Sequence, residues 1–277
     1  MSEIREMASV SKTLFTKWPV LHMILGVTIC SFGGYGAGQF GPQYFRRAFD
    51  LDPTTVGLVI GLIGGFSSGL GTLVGGFVAD RLAKRSPAWY ALTPAWGLLL
   101  CTPLYIIAYL QPDWRVTAAL LLIPGIFHYT YLGPTFGVIQ NSVETRRRAT
   151  ATAVMFLFLN LIALGGGPPF TGWLIDNLAQ VTFANPDLSG VLPSFTGWLT
   201  GAGESARSFA QSCPGGLAPA GAAPEVVAAC KAALASGTRN GIILTLLTYA
   251  WGGLHYFLAA IGMAKHMRER AAIQAAG

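Results

Sequence analysis

Six long apolar segments restrict what this chain can fold into. They cover approximately residues 19–44, 54–79, 88–110, 116–140, 149–175 and 241–263. A bilayer core about 30 Å thick is crossed by a helix of about 20 apolar residues. Backbone groups in lipid must be hydrogen-bonded, and runs of this length are typical of helices rather than barrel strands. The sequence therefore predicts an all-α polytopic membrane protein with six transmembrane helices, here called spans 1 to 6.

The charged residues support this class and predict an orientation. They make up only 11% of the chain, whereas a soluble domain carries about a quarter. Most of the 18 basic residues, including tight clusters at 81–85 and 146–148, fall on the side of the two termini. The positive-inside rule then makes residues 1–18 a cytoplasmic lead, residues 265–277 a cytoplasmic tail, and the bacterial inner (plasma) membrane the expected location.

The lead and the loops argue against a cleaved signal peptide and against a nucleic-acid-binding protein. Residues 1–18 lack a small-residue cleavage site after a short apolar core, so span 1 is predicted to remain in the mature protein. The net charge of +6 follows from the loops that orient the spans. Nucleic-acid binding would require a basic patch on a soluble face, and the sequence offers none.

Two short motifs occur at corresponding places in the two halves of the chain. Span 2 ends in Gly76-x-x-x-Asp80, and span 5 ends in Gly172-x-x-x-Asp176. The span before each carries its own Gly-Pro pair, at 41–42 and at 133–134. Such a repeat indicates a duplicated unit. Three crossings per unit, an odd number, place the second copy upside down, and a 3+3 inverted repeat is typical of secondary transporters.

The segment between spans 5 and 6, residues 177–240, is predicted to be an outward-facing loop. It is rich in Gly, Ala, Pro and Ser, so we expect it to be largely irregular, with a short helix over 224–236 that ends before Gly237. Cys213 and Cys230 share this loop, which favours a disulfide, with two free thiols as the alternative. No ligand spacing for a metal occurs, and no cofactor is predicted.

Polar side chains inside spans are costly in lipid, so they are candidate functional residues. Spaced four residues apart, Tyr35, Gln39 and Gln43 share a face of span 1. His128 and Tyr131 lie near the Gly-Pro break of span 4, and Asn160 lies in the middle of span 5. These six residues are the candidate substrate-cavity residues; hydrogen bonding between helices is the alternative. No acidic or basic residue is expected deep in a span.

One pattern suggests an enzyme. Residues 65–69 match Gly-x-Ser-x-Gly, the nucleophile pattern of serine hydrolases, with Ser67 or Ser68 as the nucleophile. That motif needs a strained turn between a strand and a helix, whereas these serines are predicted to lie within a helix among packing glycines. The sequence therefore predicts that the protein is not an enzyme, with an intramembrane serine hydrolase as a remote alternative.

The loop after span 2 carries the first resemblance to a known family. Gly76, Asp80, Arg81, Lys84 and Arg85 resemble the Gly-x-x-x-Asp-Arg-x-Gly-Arg/Lys signature of the major facilitator superfamily, with alanine at position 83 in place of the second glycine. The resemblance implies that this motif helps to govern the conformational change of transport. Gly172 and Asp176 are its expected counterpart in the second repeat. A cluster that only orients the spans is the alternative.

Span 5 carries a second resemblance. Its Arg-Ala-Thr opening at 148–150, its Asn-Leu-Ile core at 160–162 and its Gly-Pro break at 167–168 resemble Spinster-like transporters of that superfamily. The resemblance covers most of the chain and implies the C-terminal six-helix half of a transporter. It implies alternating-access transport of a small, amphipathic organic solute, with lysolipids, sphingoid-type lipids or other organic anions as expected cargo.

The resemblance to a six-helix half does not identify the unit that would complete the transporter. The lead resembles the central linker of a full transporter, which favours a missing N-terminal half in a truncated or split gene product. A second copy of the chain could instead complete the cavity, and a non-transporting membrane partner or scaffold is the remaining alternative. The sequence does not define the substrate, the direction of transport or the coupling ion.

Overall fold

The computed structural model describes residues 2–203 and 209–275, so the ends of the predicted lead and tail and residues 204–208 of the outer loop lie outside the described residues. Its helices are α1 (Ser2–Thr16), α2 (Trp18–Phe49), α3 (Pro53–Ala83), α4 (Trp89–Tyr109), α5 (Trp114–Tyr129), α6 (Leu132–Asn141), α7 (Arg148–Leu159), α8 (Gly165–Ala184), α9 (Val191–Leu199), α10 (Phe209–Ser212), α11 (Pro224–Ala260) and α12 (Met263–Ala275). Short 3₁₀ turns lie at Thr145–Arg147, Pro186–Leu188 and Pro214–Gly216, and a π-helical turn at Asn160–Leu164 joins α7 to α8.

Six helical stretches in the described residues are long and apolar enough to cross a membrane, as predicted. Spans 1 to 6 are Trp18–Phe49, Pro53–Ala83, Trp89–Tyr109, Trp114–Asn141, Thr145–Ala184 and Pro224–Ala260. Several are longer than expected because the helix continues past the apolar run, as α2 does through Arg46 and Arg47 to Phe49. Span 4 is interrupted at Thr130 and Tyr131, just before its Gly-Pro pair.

Span ends are fixed by local capping. Asp52 precedes α3, and its carboxylate accepts hydrogen bonds from the backbone amides of Thr54 and Thr55, each at 3.0 Å. The Thr55 hydroxyl also donates to this carboxylate, and these hydrogen bonds lower the pKa of Asp52. Asp113 caps α5 in the same way through the Arg115 amide at 2.7 Å. These caps satisfy amides that have no partner within their helix.

The packing order of the spans follows the predicted inverted repeat. Span 1 packs against spans 5 and 6, and span 4 packs against spans 2 and 3. Spans 3 and 6 pack against each other along the middle of the bundle. Exchanging spans 1, 2 and 3 with spans 4, 5 and 6 reproduces this pattern. The arrangement is therefore that of two three-helix units related by a twofold relation.

Glycines permit close approach of helix backbones in both units. A Cβ atom on Gly75 in span 2 would lie 2.4 Å from the carbonyl oxygen of Thr130 in span 4. A Cβ atom on Gly167 in span 5 would lie 2.3 Å from the carbonyl oxygen of Phe32 in span 1. Only glycine fits these two crossings, and small residues of this kind let membrane helices approach through their backbones.

The lead is more than a linker. It forms α1, which packs against α7, the first part of span 5. Val10 and Leu14 are buried in this contact, and the rings of Phe15 and Phe158 lie 4.6 Å apart. The apolar face of this amphipathic helix is therefore covered by the bundle itself.

The outer segment differs from the prediction of a largely irregular loop over 177–240. Span 5 continues to Ala184, and α11 runs without interruption through the predicted boundaries at Gly237 and 241. Gly237 packs against Ala179, where its missing side chain permits close approach, so it does not end a helix. A helix of 37 residues is about 55 Å long and so exceeds the bilayer core, which leaves its first part outside the membrane.

Candidate functional site

A small cavity lies at the centre of the bundle, where spans 1, 2, 3, 4 and 6 meet. Its volume is about 140 Å³, and its walls include Tyr105, Tyr109, His128, Tyr129 and Tyr249. Glycines of spans 1 and 2 also line it. The cavity therefore combines ring faces with a few polar atoms.

His128 is the most unusual residue of this cavity. It is buried, and its ring stacks on Tyr249 with centroids 4.4 Å apart and an interplanar angle of 22°. Its Nε2 atom has no hydrogen-bond partner among the described residues, and it lies near Gly34, where a Cβ atom would be 3.7 Å away. A buried polar atom without a partner is rare in proteins, so this atom is suited to a ligand contact.

Tyr35 and Asn160 meet on the open side of spans 1 and 5. The Tyr35 hydroxyl lies 3.4 Å from Oδ1 of Asn160, and Nδ2 of Asn160 donates to the Phe156 carbonyl at 2.9 Å. Asn160 begins the π-helical turn, a feature the sequence analysis did not predict. Such turns are often found at functional sites because they alter the direction of neighbouring side chains.

The remaining cavity candidates divide between three places. Gln39 is exposed on the same face of α2 as Tyr35. Gln43 lies further out, in a cavity of about 500 Å³ beside Arg46 and Arg47. Tyr131 does not belong to the open face: it is 7% exposed and packs with its ring centroid 5.6 Å from that of His128. Like His128, it is buried within the helix interface.

The loop signature lies at the end of span 2 opposite the Gly-Pro pair of span 4. Gly76 faces Gly133, whose Cβ would be 3.4 Å from the Gly76 Cα. Asp80 lines a cavity of about 290 Å³ with Tyr90, Pro134 and Asn141. The side chains of the basic residues that follow it are exposed, namely Arg81, Lys84 and Arg85. The carboxylate and the basic cluster are thus placed at one membrane face.

The repeat counterpart occupies the opposite membrane face. Gly172 faces Phe40, next to the Gly-Pro pair of span 1, as Gly76 faces the pair of span 4. Asp176 lines a cavity of about 460 Å³ together with Arg47, and the two side chains interact electrostatically. Arg47 also donates from Nη1 to the Thr238 hydroxyl at 2.9 Å. Because α8 extends to Ala184, Asp176 lies within a helix, near the membrane face rather than deep in the span.

The outer segment is tied to the spans by a disulfide and by polar contacts. Cys213 and Cys230 are bonded, and Cys30 and Cys101 are buried free thiols. Gln180 of span 5 donates to the carbonyl of Gly203 and accepts from the amide of Phe209. The outer segment is therefore fixed against spans 5 and 6.

The hydrolase motif has no catalytic geometry. Ser67 is buried in the uninterrupted helix α3, and its hydroxyl donates to the Leu122 carbonyl at 3.2 Å. Ser68 donates to the Gly65 carbonyl of its own helix. In the part of the chain that the structure describes, no three His, Cys, Asp or Glu side chains cluster to hold a metal.

Sequence reasoning missed several residues of these sites. Tyr105, Tyr109 and Tyr249 contribute most of the aromatic wall of the central cavity, and the four-residue spacing of the first two was the available signal. No sequence pattern singled out Arg47, because its contact with Thr238 joins residues 191 positions apart.

The fold and the two motif sites define a class of membrane transporter, and comparison with known proteins places the chain within it. The family model of the Major Facilitator Superfamily matches residues 23–186. The chain belongs to this superfamily. Its members are transporters rather than enzymes, which agrees with the geometry of Ser67.

Individual relatives narrow the assignment to the Spinster-like branch. The chain is 32% identical over 179 residues to an MFS-type efflux pump of Mycolicibacterium smegmatis, covering 62% of this chain and 42% of the relative. It is 24% identical over 177 residues to Protein spinster of Drosophila melanogaster, covering 60% and 29%. The branch predicted from span 5 is thereby confirmed.

Solved structures agree with this branch. A bacterial homolog to the human lysosomal transporter Spinster, in an inward-facing and unoccupied conformation, superposes with a TM-score of 0.72 at 26% identity, over 93% of this chain and 50% of that one. The occupied inward-facing form gives a TM-score of 0.67 over 91% and 51%. The chain thus spans about half or less of the length of the relatives it matches.

Proposed function

We propose that this chain is the C-terminal six-helix half of a Spinster-like transporter and moves a small amphipathic organic solute by alternating access. It acts together with a second six-helix unit, which faces spans 2 and 5. The observation that carries the proposal is an open face of glycines and large apolar residues along span 2, beside the polar groups of span 1.

Span 2 has the features of a helix that packs against another helix. Gly57, Gly61, Gly65 and Gly69 recur every four residues, and a Cβ atom on any of them would meet nothing within 4 Å. Large apolar residues flank this stripe, including Leu62, Phe66 and Leu73 at 65%, 58% and 72% exposure. Glycine spaced this way permits close helix contact, a property that lipid chains alone do not require.

Span 5 has a matching face. Leu157, Leu161 and Leu164 project from it at 55%, 71% and 51% exposure. Spans 2 and 5 are equivalent in the two repeats, and they are the least buried of the six. A partner that covers both would enclose the polar face of span 1 between the two units, as the proposal requires.

The solute is proposed to contact the polar face of span 1 and the central cavity. Tyr35 and Gln39 supply exposed hydrogen-bonding groups, Asn160 supplies a half-buried one and His128 a buried one. Gln43 lies toward the outer end, and Tyr131 supports the His128 ring. Aromatic walls with few polar atoms suit a ligand that has an apolar body and a few polar groups.

The two aspartate motifs are proposed to act at opposite faces of the membrane. At the proposed cytoplasmic face, Asp80 and the basic residues after it would engage the second unit in one transport state. At the outer face, the opposite charges of Asp176 and Arg47 would attract each other between spans 5 and 1 within this unit. A change in either contact would favour one orientation of the cavity over the other.

We place both termini in the cytoplasm and the chain in the bacterial inner (plasma) membrane. Six spans put the two termini on one side, and the basic clusters support the cytoplasmic side. The disulfide-bonded outer segment would then lie on the oxidising side, where disulfides persist.

Transport is tested by flux in proteoliposomes with a panel of lysolipids and organic anions. We expect Gln39→Ala and His128→Ala to reduce flux of the transported solute about fivefold or more, since losing one hydrogen bond in the enclosed cavity costs about 1–3 kcal/mol. Gln111→Ala, just past the outer end of span 3 and away from the proposed site, is the matched control for Gln39→Ala. Unchanged flux in both cavity variants would refute the site assignment.

The partner is tested by single cysteines at Leu62 or Leu73 in membranes. Crosslinks to an N-terminal six-helix unit support the proposed arrangement, and crosslinks to the same chain indicate that a second copy completes the cavity. If the chain supports no flux with an N-terminal unit or with a second copy, under any imposed gradient, a non-transporting membrane partner or scaffold is favoured instead.

A further inference from the structure

A second cavity lies away from the transport site, at the membrane boundary where span 1 begins and span 6 ends. Its volume is about 490 Å³, within the usual range for ligand sites. Its lining includes Lys17, Trp18, Ile261, Lys265, His266 and Glu269. None of these residues takes part in the central cavity or in the two aspartate motifs.

The walls of this cavity are built by a sharp turn and a fixed tryptophan. Gly262 has a φ of +80°, a left-handed conformation that turns the chain from α11 into α12 and brings Lys265 beside span 1. Nε1 of Trp18 donates to the Leu258 carbonyl at 2.9 Å, which holds the indole across the junction of spans 1 and 6. His266 is held in the wall by its Nε2 contact to the Ser142 hydroxyl at 3.0 Å.

The chemistry of the cavity changes across it. Trp18 and Ile261 expose 51% and 63% of their surface, which forms an apolar wall at the level where the spans leave the lipid. Lys17 and Lys265 supply positive charge at the rim. Tryptophan is enriched at this depth of membrane proteins, and basic groups beside spans attract anionic headgroups.

We propose that this cavity binds the headgroup of an anionic phospholipid of the surrounding leaflet. The phosphate would lie between Lys17 and Lys265, and the glycerol and upper acyl chains would lie along Trp18 and Ile261. A free soluble anion would use the two lysines and leave the apolar wall in water, so a membrane lipid fits the whole cavity better.

Glu269 provides an internal test because its charge opposes the proposed ligand. Its carboxylate lies 4.0 Å from the Lys265 ammonium, and both side chains are largely exposed, at 58% and 80%. Such an exposed pair contributes little to stability. Neutralising Glu269 should therefore strengthen binding of an anionic headgroup without disturbing the fold.

The test is native mass spectrometry of the purified full chain titrated with short-chain phosphatidylglycerol or phosphatidylcholine. We expect tighter binding of phosphatidylglycerol, a loss of about fivefold for each lysine removed in Lys17→Gln and Lys265→Gln, and a gain for Glu269→Gln. The double variant Arg5→Gln/Lys12→Gln, which removes the same charge from exposed positions of α1, should bind as the unchanged protein does. Melting temperatures verify that each variant is folded. If the variant that combines Lys17→Gln with Lys265→Gln does not fold, Lys265→Gln alone provides the test.

Three results would overturn the proposal. Equal binding of phosphatidylglycerol and phosphatidylcholine would show that the cavity does not recognise the negative charge of the headgroup. Equal losses in the lysine variants and in the control would show that only net charge matters. Complete displacement of the lipid by free glycerol phosphate would assign the site to a soluble anion.

Discussion

The crossing of spans 2 and 4 allows one stability prediction to be developed from neighbouring glycines. Gly75 and Gly76 differ by one position in the same helix, yet they face different surroundings. A Cβ atom on Gly75 would lie 2.4, 2.5 and 2.7 Å from the carbonyl oxygen, Cα and carbonyl carbon of Thr130, which are all backbone atoms. A Cβ atom on Gly76 would meet nothing within 4 Å.

The magnitude follows from these distances. Gly75→Ala forces the two backbones apart by roughly 1 Å, because non-bonded carbon atoms prefer separations of about 3.5–4.0 Å. A gap of that size forfeits up to about half of the dispersion energy of the contact, and overpacking of a tight interface costs about 1–3 kcal/mol. Gly76→Ala introduces no such clash and gains helix propensity of up to about 1 kcal/mol.

The assay compares melting temperatures of the two purified variants in one detergent. We expect Gly75→Ala to melt several degrees below the unchanged protein, and Gly76→Ala to melt at or above it. Gly61→Ala is a further control, because its Cβ also meets nothing within 4 Å. Equal melting temperatures for Gly75→Ala and Gly76→Ala would refute the argument that backbone contact at Thr130 requires glycine.

Three further predictions concern the helix cap, the disulfide and the outer charged pair. Asp52→Ala should lower the melting temperature at neutral pH, and because the pKa of Asp52 is depressed in the folded protein, the difference from wild type should disappear as the pH falls through that pKa; a difference independent of pH would contradict this. Cys213→Ser should lower the free energy of unfolding by about 3 kcal/mol for a loop of this length, and it should accelerate proteolysis of the outer segment. An unchanged proteolysis rate, measured without reducing agent, would argue against the bridge. Arg47→Gln and Asp176→Asn should reduce flux non-additively, with a coupling of about 0.5–3 kcal/mol, whereas Arg46→Gln paired with Asp176→Asn should be additive.

The transmembrane class and the branch could be predicted because they depend on local patterns. Runs of apolar residues specify spans wherever they occur, and the Gly-x-x-x-Asp endings recur independently of the fold. Span ends were less predictable. Residues 224–240 were divided at Gly237, since glycine usually ends helices, but here Gly237 packs against Ala179 in the middle of α11.

The site was predicted in part. Tyr35 and Asn160 were chosen because polar groups are costly in lipid, and the structure brings them together across 125 residues. His128 and Tyr131 were chosen beside the Gly-Pro break of span 4, and the structure buries both, with their ring centroids 5.6 Å apart. The stacking of His128 on Tyr249 depends on how span 6 crosses span 4, which helical spacing within one span does not contain.

The sequence by itself determined six membrane crossings, a duplicated unit and membership of a transporter branch. Each of these follows from hydrophobic length and from residue spacing along the chain. Only the tertiary structure decided which glycines lie at crossings, that Asp176 interacts with Arg47, and that a cavity rimmed by lysines forms beside Trp18. Those features require residues from distant spans to meet, and their contacts are set by the packing of whole helices rather than by any local preference.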